Sequence, residues 1–318
     1  MTRRELVQRA ISFDRPSRIP VWYWNADRDR SDIHSYELFP YKGGVNRSEW
    51  GYVWENLGDG TLGQPKKPVI PTWDLLESFE GPVADTPGRF AGVGGFFRRA
   101  ADRYRAVEMG ITGFNTYAFL RGFQNALLDF KLERDRACTL LDMIFDFEIE
   151  VIRLAAAHGF DGVHFADDWG TQQSLIVGPS LWRELFKPRY KRQFDVVHEL
   201  GMHVWFHCCG NITEIVQDFH EIGVDVMNLS QPNAVDIDRV GKALRGRQCF
   251  MVPISYQTIS ISGTPEAIEV EARRLHRALG TPEGGFIGYV EEYSVMGMPE
   301  VNYRACARAF MNLQGETA

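Results

Sequence analysis

From residue 160 onward the chain alternates short apolar runs with longer amphipathic stretches. Gly162-Val163-His164-Phe165-Ala166 predicts a strand, followed at once by Asp167, Asp168 and Trp169. Pro179 to Leu200 has helical periodicity and a stop at Gly201. His203 to His207 predicts the next strand, ending in Cys208-Cys209-Gly210-Asn211, and Thr213 to Ile222 the next helix, stopped by Gly223. Strand 224–229, helix 236–244, strand 249–254, helix 265–279 and strand 285–290 continue the series, and 299–314 predicts a closing helix. Such repetition requires parallel strands joined by crossover helices. Two α/β solutions remain open: a doubly wound sheet or a closed (β/α)8 barrel. No G-x-G-x-x-G follows any strand, which weakens a dinucleotide-binding sheet. Polar residues gather at the carboxyl ends of the strands, where barrels carry their active sites.

The first half is less regular. An N-terminal helix precedes a strand over 19–24, and 111–117 predicts a second strand. Residues 25–95 are rich in Gly, Pro and aromatics and are expected to form an excursion over the barrel mouth. A helix is expected from about 135 to 157. Seven strands are countable this way, and an eighth is unassigned. Without a linker or repeat, residues 1–318 are expected to form one domain.

Composition narrows the function classes. The chain has 318 residues, 44% hydrophobic and 24% charged, which is ample for a core without disulfides. A net charge of −7 argues against a broad nucleic-acid face. No apolar run is long enough to span a bilayer, and the start MTRRELVQRAISFDRPSRIP does not read as a signal peptide. The five cysteines (138, 208, 209, 249 and 306) have no framework spacing. A reducing, cytoplasmic location is therefore expected, with thiols free or metal-bound.

The sharpest chemical signal is His207-Cys208-Cys209-Gly210 at a strand end. A strand places alternate residues on one face, so His207 and Cys209 can point together. An imidazole and a thiolate are two of the three protein ligands of a catalytic zinc; the bland alternative is simple packing. Glu291 and Glu292, on the last strand tip, face opposite ways, so only one is expected to reach the centre. Asp168 can hold a metal, orient His207 or move protons, although an Asp at such a junction can also cap a helix. Asn228 and Gln231 offer amides to a ligand or to a loop turn. Trp22, Tyr23 and Trp24 offer rings to a flat ligand or to the core. Histidines 158, 164, 198, 203, 220 and 276 are read as structural or surface residues. Most of the arginines that make the first thirty residues basic are expected to face solvent. There is no G-x-S-x-G elbow and no Walker A loop.

Taken together, 165–173 (FADDWGTQQ), 181–190 (LWRELFKPRY), 207–210 (HCCG), 222–228 (IGVDVMN), 284–287 (GGFI) and 19–22 (IPVW) resemble the uroporphyrinogen decarboxylase-like superfamily. That group includes the decarboxylase itself and the zinc-dependent methylcobalamin:coenzyme M methyltransferases. The resemblance implies a (β/α)8 TIM barrel with an elaborated N-terminal region over its mouth. In the decarboxylases, paired arginines after Pro-Val-Trp hold porphyrin carboxylates. Here Asn25 replaces the first, and Arg28 or Arg30 matches the second only with a shift.

In the methyltransferases, zinc sits on a His-x-Cys pair plus a distant Cys. His207 and Cys209 match the pair, and alignment puts Glu292 at the distant position with Glu291 beside it. The leading expectation is thus a zinc-dependent methyltransferase moving a methyl group, from a corrinoid on a partner protein, to a thiol-type acceptor. Its metal ligands would be His207, Cys209 and Glu292. Asp168 would orient or accept a proton, and Trp22, Tyr117, Gln172, Asn228 and Glu291 would contact the small-molecule substrate. A metal-independent decarboxylase is the alternative, and a tetrapyrrole- or corrinoid-binding protein without turnover the third. The family often forms homodimers. No nucleic acid or membrane partner is expected.

Overall fold

The computed structural model describes residues 1–38, 46–56, 58 and 63–313. The remainder of the 25–95 region and Gln314, the last residue of the expected closing helix, lie outside the described residues. In chain order the strands are β1 (Val21–Tyr23), β2 (Ile33–Glu37), β3 (Trp54–Glu55), β4 (Gln64–Pro65), β5 (Tyr104–Ile111), β6 (Gly162–Ala166), β7 (His203–Cys208), β8 (Val226–Leu229), β9 (Cys249–Pro253) and β10 (Phe286–Val290). Among the described residues, β3 and β4 pair only with each other. The other eight form one parallel sheet in the order β1-β10-β9-β8-β7-β6-β5-β2. The sheet curls into a nearly closed (β/α)8 TIM barrel.

Asp32 bridges the remaining gap between β1 and β2. Its amide donates to the Val21 carbonyl at 3.0 Å, and its carboxylate accepts from the Val21 amide at 2.9 Å. The Arg18 guanidinium holds the same carboxylate.

Strand parity decides what each side chain meets. Val163, Phe165, Val204, Phe206, Phe250 and Val252 point outward into the main core under the helices. Trp22, Ile33, Tyr104, Ala106, Trp205, Met251, Ile287 and Tyr289 fill the barrel interior. Val7 and Ile11 join that interior cluster from the helix Arg3–Ile11, whose start is fixed by a Thr2–Glu5 capping box. The helix therefore plugs the amino-terminal end of the barrel and leaves the carboxyl-terminal end open for chemistry.

Two sequence expectations are corrected. The second strand expected at 111–117 lies earlier, at Tyr104–Ile111, and Gly113–Arg121 is helical. The reason is a helix start anchored from outside: Asp167 accepts the Phe114 and Asn115 amides, each at 2.8 Å. Gly113 turns the chain there with φ of +49°, and a Cβ on it would lie 2.3 Å from the Asp167 carboxylate. The unassigned eighth strand is Ile33–Glu37, inside the region expected to be an excursion. The true excursion runs between β2 and β5, and its Trp54 reaches the barrel mouth. Among the described residues, no helix is long and apolar enough to cross a membrane.

Candidate functional site

β7 delivers His207 inward, and Cys209, two residues on, keeps the same parity just past the strand end. Asp168 leaves the tip of neighbouring β6, and its Oδ1 accepts the Cys209 amide at 2.8 Å. The His207 Nε2 lies 3.5 Å from the Cys209 Sγ and 3.8 Å from the Asp168 Oδ1. The three donor atoms all fall within 4.8 Å of one another. A tetrahedron with zinc–ligand bonds of about 2.0–2.3 Å has edges of roughly 3.3–3.8 Å, which the two distances from the His207 Nε2 match.

The imidazole is held from behind. Its Nδ1 lies 2.6 Å from the Asn228 Oδ1 on β8, while the Asn228 Nδ2 donates to the Met251 carbonyl at 2.9 Å. The amide cannot flip without losing that second bond, so its oxygen faces the ring. Nδ1 must then carry a proton, and Nε2 is the nitrogen that faces Cys209 and Asp168. Burial opposes charge on this ring, but Cys209 and Asp168 outweigh it and raise His207 to about 10, so without a metal Nε2 is protonated as well, and a bound metal would take that proton's place. The strand ends approach closely to permit this. A Cβ on Gly170 would sit 2.4 Å from the Asn211 amide nitrogen, and Gly210 has φ of +77°.

Several residues singled out in the sequence lie elsewhere. The Glu292 carboxylate accepts from the Ser294 amide and hydroxyl at 2.6 and 2.8 Å, and it is not in the three-donor cluster. Parity explains this: Ile287 and Tyr289 are interior, so Glu291 follows them inward and Glu292 turns out. Tyr117 is buried on the helix after β5 and donates to Asp129 at 3.0 Å; it does not line the cavity described below. Trp22 is buried inside the barrel against Trp205 and His164, and Trp24 is the ring at the surface of that cavity. Gln172 is exposed near the mouth and donates to Gln231 at 2.8 Å, and Gln231 in turn accepts the Gly210 amide.

A cavity of about 370 Å3 opens beside His207. Its walls include Trp24, Trp54, Tyr289, Glu37, Glu108, His164 and Glu291. Glu108 and His164 are directly paired across β5 and β6, and only 6% and 7% exposed. Among the described residues, neither the Glu108 Oε1 nor the His164 Nε2, both fully enclosed, has a hydrogen-bond partner. Burial raises Glu108 to about 8 and lowers His164 to about 3. Glu291 is also raised by burial, although Tyr289 and Tyr293 both donate to its Oε2, at 3.0 and 2.8 Å. Sequence reasoning missed Glu108 because β5 was placed too late. It set His164 aside, yet His164 shares strand parity with Ala166 and Asp168, which was the available signal.

The family model for uroporphyrinogen decarboxylase (URO-D) matches residues 68–310. The chain belongs to that family. Its URO-D fold is shared by a methyltransferase from Methanosarcina mazei, at a TM-score of 0.73 and 13% identity, covering 98% of this chain and 99% of that one. A chitinase from Chromobacterium violaceum ATCC 12472 aligns over 64% of this URO-D chain and 54% of its own, at 10% identity and a TM-score of 0.28, too slight a likeness to bear on the fold. No curated protein sequence matches.

Proposed function

We propose that this URO-D-family protein is a zinc-dependent methyltransferase whose metal ligands are His207, Cys209 and Asp168. The observation that carries this reading is the convergence of those three donor atoms at the strand ends, beside a cavity that His207 lines. The donor set fits zinc chemically as well as by spacing: a neutral imidazole, a soft thiolate and one carboxylate. When bound, zinc would make a thiol acceptor more acidic and its thiolate available at neutral pH.

The protein's own groups supply the rest. Asn228 fixes the His207 tautomer. Asp168 joins the metal set and holds the Cys209 backbone through its amide. Glu291, with both phenols bonded to one carboxylate oxygen, keeps Oε1 for the acceptor's proton. The donor's methyl bond breaks with its electron pair left on the donor, as a sulfur–methyl bond forms. A corrinoid carried by a partner is the proposed donor.

The decarboxylase alternative is less well supported by this cavity. A polycarboxylated porphyrinogen needs several matched cations. The cavity wall carries Arg28, which lies 3.6 Å from Glu37, among further carboxylates. The test is turnover: zinc-loaded protein is given methylcobalamin and a panel of small thiols, and loss of the methyl–cobalt absorbance is followed with thioether formation. Methyl transfer that falls at least a hundredfold in Cys209→Ser supports the reading. Absence of thioether with every thiol, or decarboxylation of uroporphyrinogen by metal-free protein, refutes it.

A further inference from the structure

We propose that the cavity beside His207 binds a small molecule through a protonated primary amine, seated against Glu108 and His164. Three observations converge on this. First, among the described residues the Glu108 Oε1 and the His164 Nε2 are enclosed and unpartnered, and the two residues pair across neighbouring strands and line the cavity. Buried polar atoms without partners are costly, so a ligand that satisfies both is strongly favoured. An ammonium group carries several N–H donors on one atom and can serve two neighbouring acceptors at once.

Second, the charges do not balance. Arg28 is offset by Glu37. A metal dication would be offset by the Cys209 thiolate and the Asp168 carboxylate. Among the described residues, the cavity wall then carries three carboxylates, Glu37, Glu108 and Glu291, against Arg28 as its fixed cation, which also acts on Glu108. Buried acids short of a cation are held against ionisation; a bound ammonium reverses that.

Third, the remaining wall includes aromatic rings. Trp24 and Tyr289 stand 6.4 Å apart with their planes at 46°, and Trp24 lies 6.3 Å from the His164 ring. Indole and phenol faces attract cations most strongly where water is excluded.

Binding of the amine stands on these residues alone. Its role as a substrate group rests on the proposed methyl transfer.

The test uses cyclohexylammonium, cyclohexanol and cyclohexanecarboxylate as probes of one shape and different charge. Each is titrated at pH 8 into the full chain, with tryptophan fluorescence as the readout, before and after exhaustive chelation. Cyclohexylammonium should saturate at least tenfold more tightly than cyclohexanol, with no saturation by the carboxylate. That preference should survive chelation and be lost in Glu108→Gln. Equal or tighter binding of cyclohexanol or of the carboxylate to the wild-type chain overturns the proposal, whether or not the variant folds. So does an unchanged preference in a folded Glu108→Gln. Ammonium binding by a chain that takes up no zinc would sink the metal reading and leave this one intact.

Discussion

The Asn228 Oδ1 lies 2.6 Å from the His207 Nδ1, and the Asn228 Nδ2 is tied to the Met251 carbonyl. This pair links the backbone of β9 to Nε2, the nitrogen that His207 turns toward Cys209 and Asp168. Second partners of this kind typically contribute a factor of about 10–100 in metal affinity. Asn228→Leu should therefore weaken zinc binding by about that factor while leaving the fold intact. Competition against a chromophoric chelator checks it. An unchanged affinity would show that the tautomer is not set by Asn228.

Two acids compete for the third ligand position, and they separate cleanly. Asp168→Asn should weaken zinc at least tenfold, because it removes charge at the donor 3.8 Å from the His207 Nε2. Glu292→Gln should have little effect on zinc, because that carboxylate is occupied by Ser294. Chelator competition on both variants decides between them; the reverse ordering restores the aligned ligand set.

Glu108 makes the barrel's stability depend on pH. Burial raises it to about 8, above the unfolded value near 4.5. Between those values the folded chain holds a proton that the unfolded chain has released, so stability falls as pH rises through the window. Glu108→Gln removes this loss. From pH 5 to 8.5 the variant should gain on wild type by roughly 3 to 5 kcal/mol in urea unfolding. Parallel stability curves would mean that Glu108 is ionised at little cost.

The second half of the barrel was legible because its buried strands are short apolar runs with polar tips. Val204-Trp205-Phe206 before His207, and Phe250-Met251-Val252 in β9, announce themselves by burial on both faces. β2 and β5 do not, since Ser35, Glu37, Arg105 and Glu108 interrupt their apolar pattern. Glu37 and Glu108 are among the residues that line the cavity, so the same feature that hid the strands places carboxylates at its wall. Glu291 was separable from Glu292 by parity with Ile287 and Tyr289. The meeting of Asp168 with Cys209 was not readable, because it depends on how closely Gly170 and Gly210 let two strand ends approach.

Zinc stoichiometry tests the central claim most directly. Purified protein is exposed to zinc, dialysed, and analysed by inductively coupled plasma mass spectrometry beside His207→Ala and Cys209→Ser. Close to one zinc per wild-type chain is predicted, with a loss of at least tenfold in both variants. A wild-type chain that retains no zinc, or variants that retain as much as wild type, would contradict it.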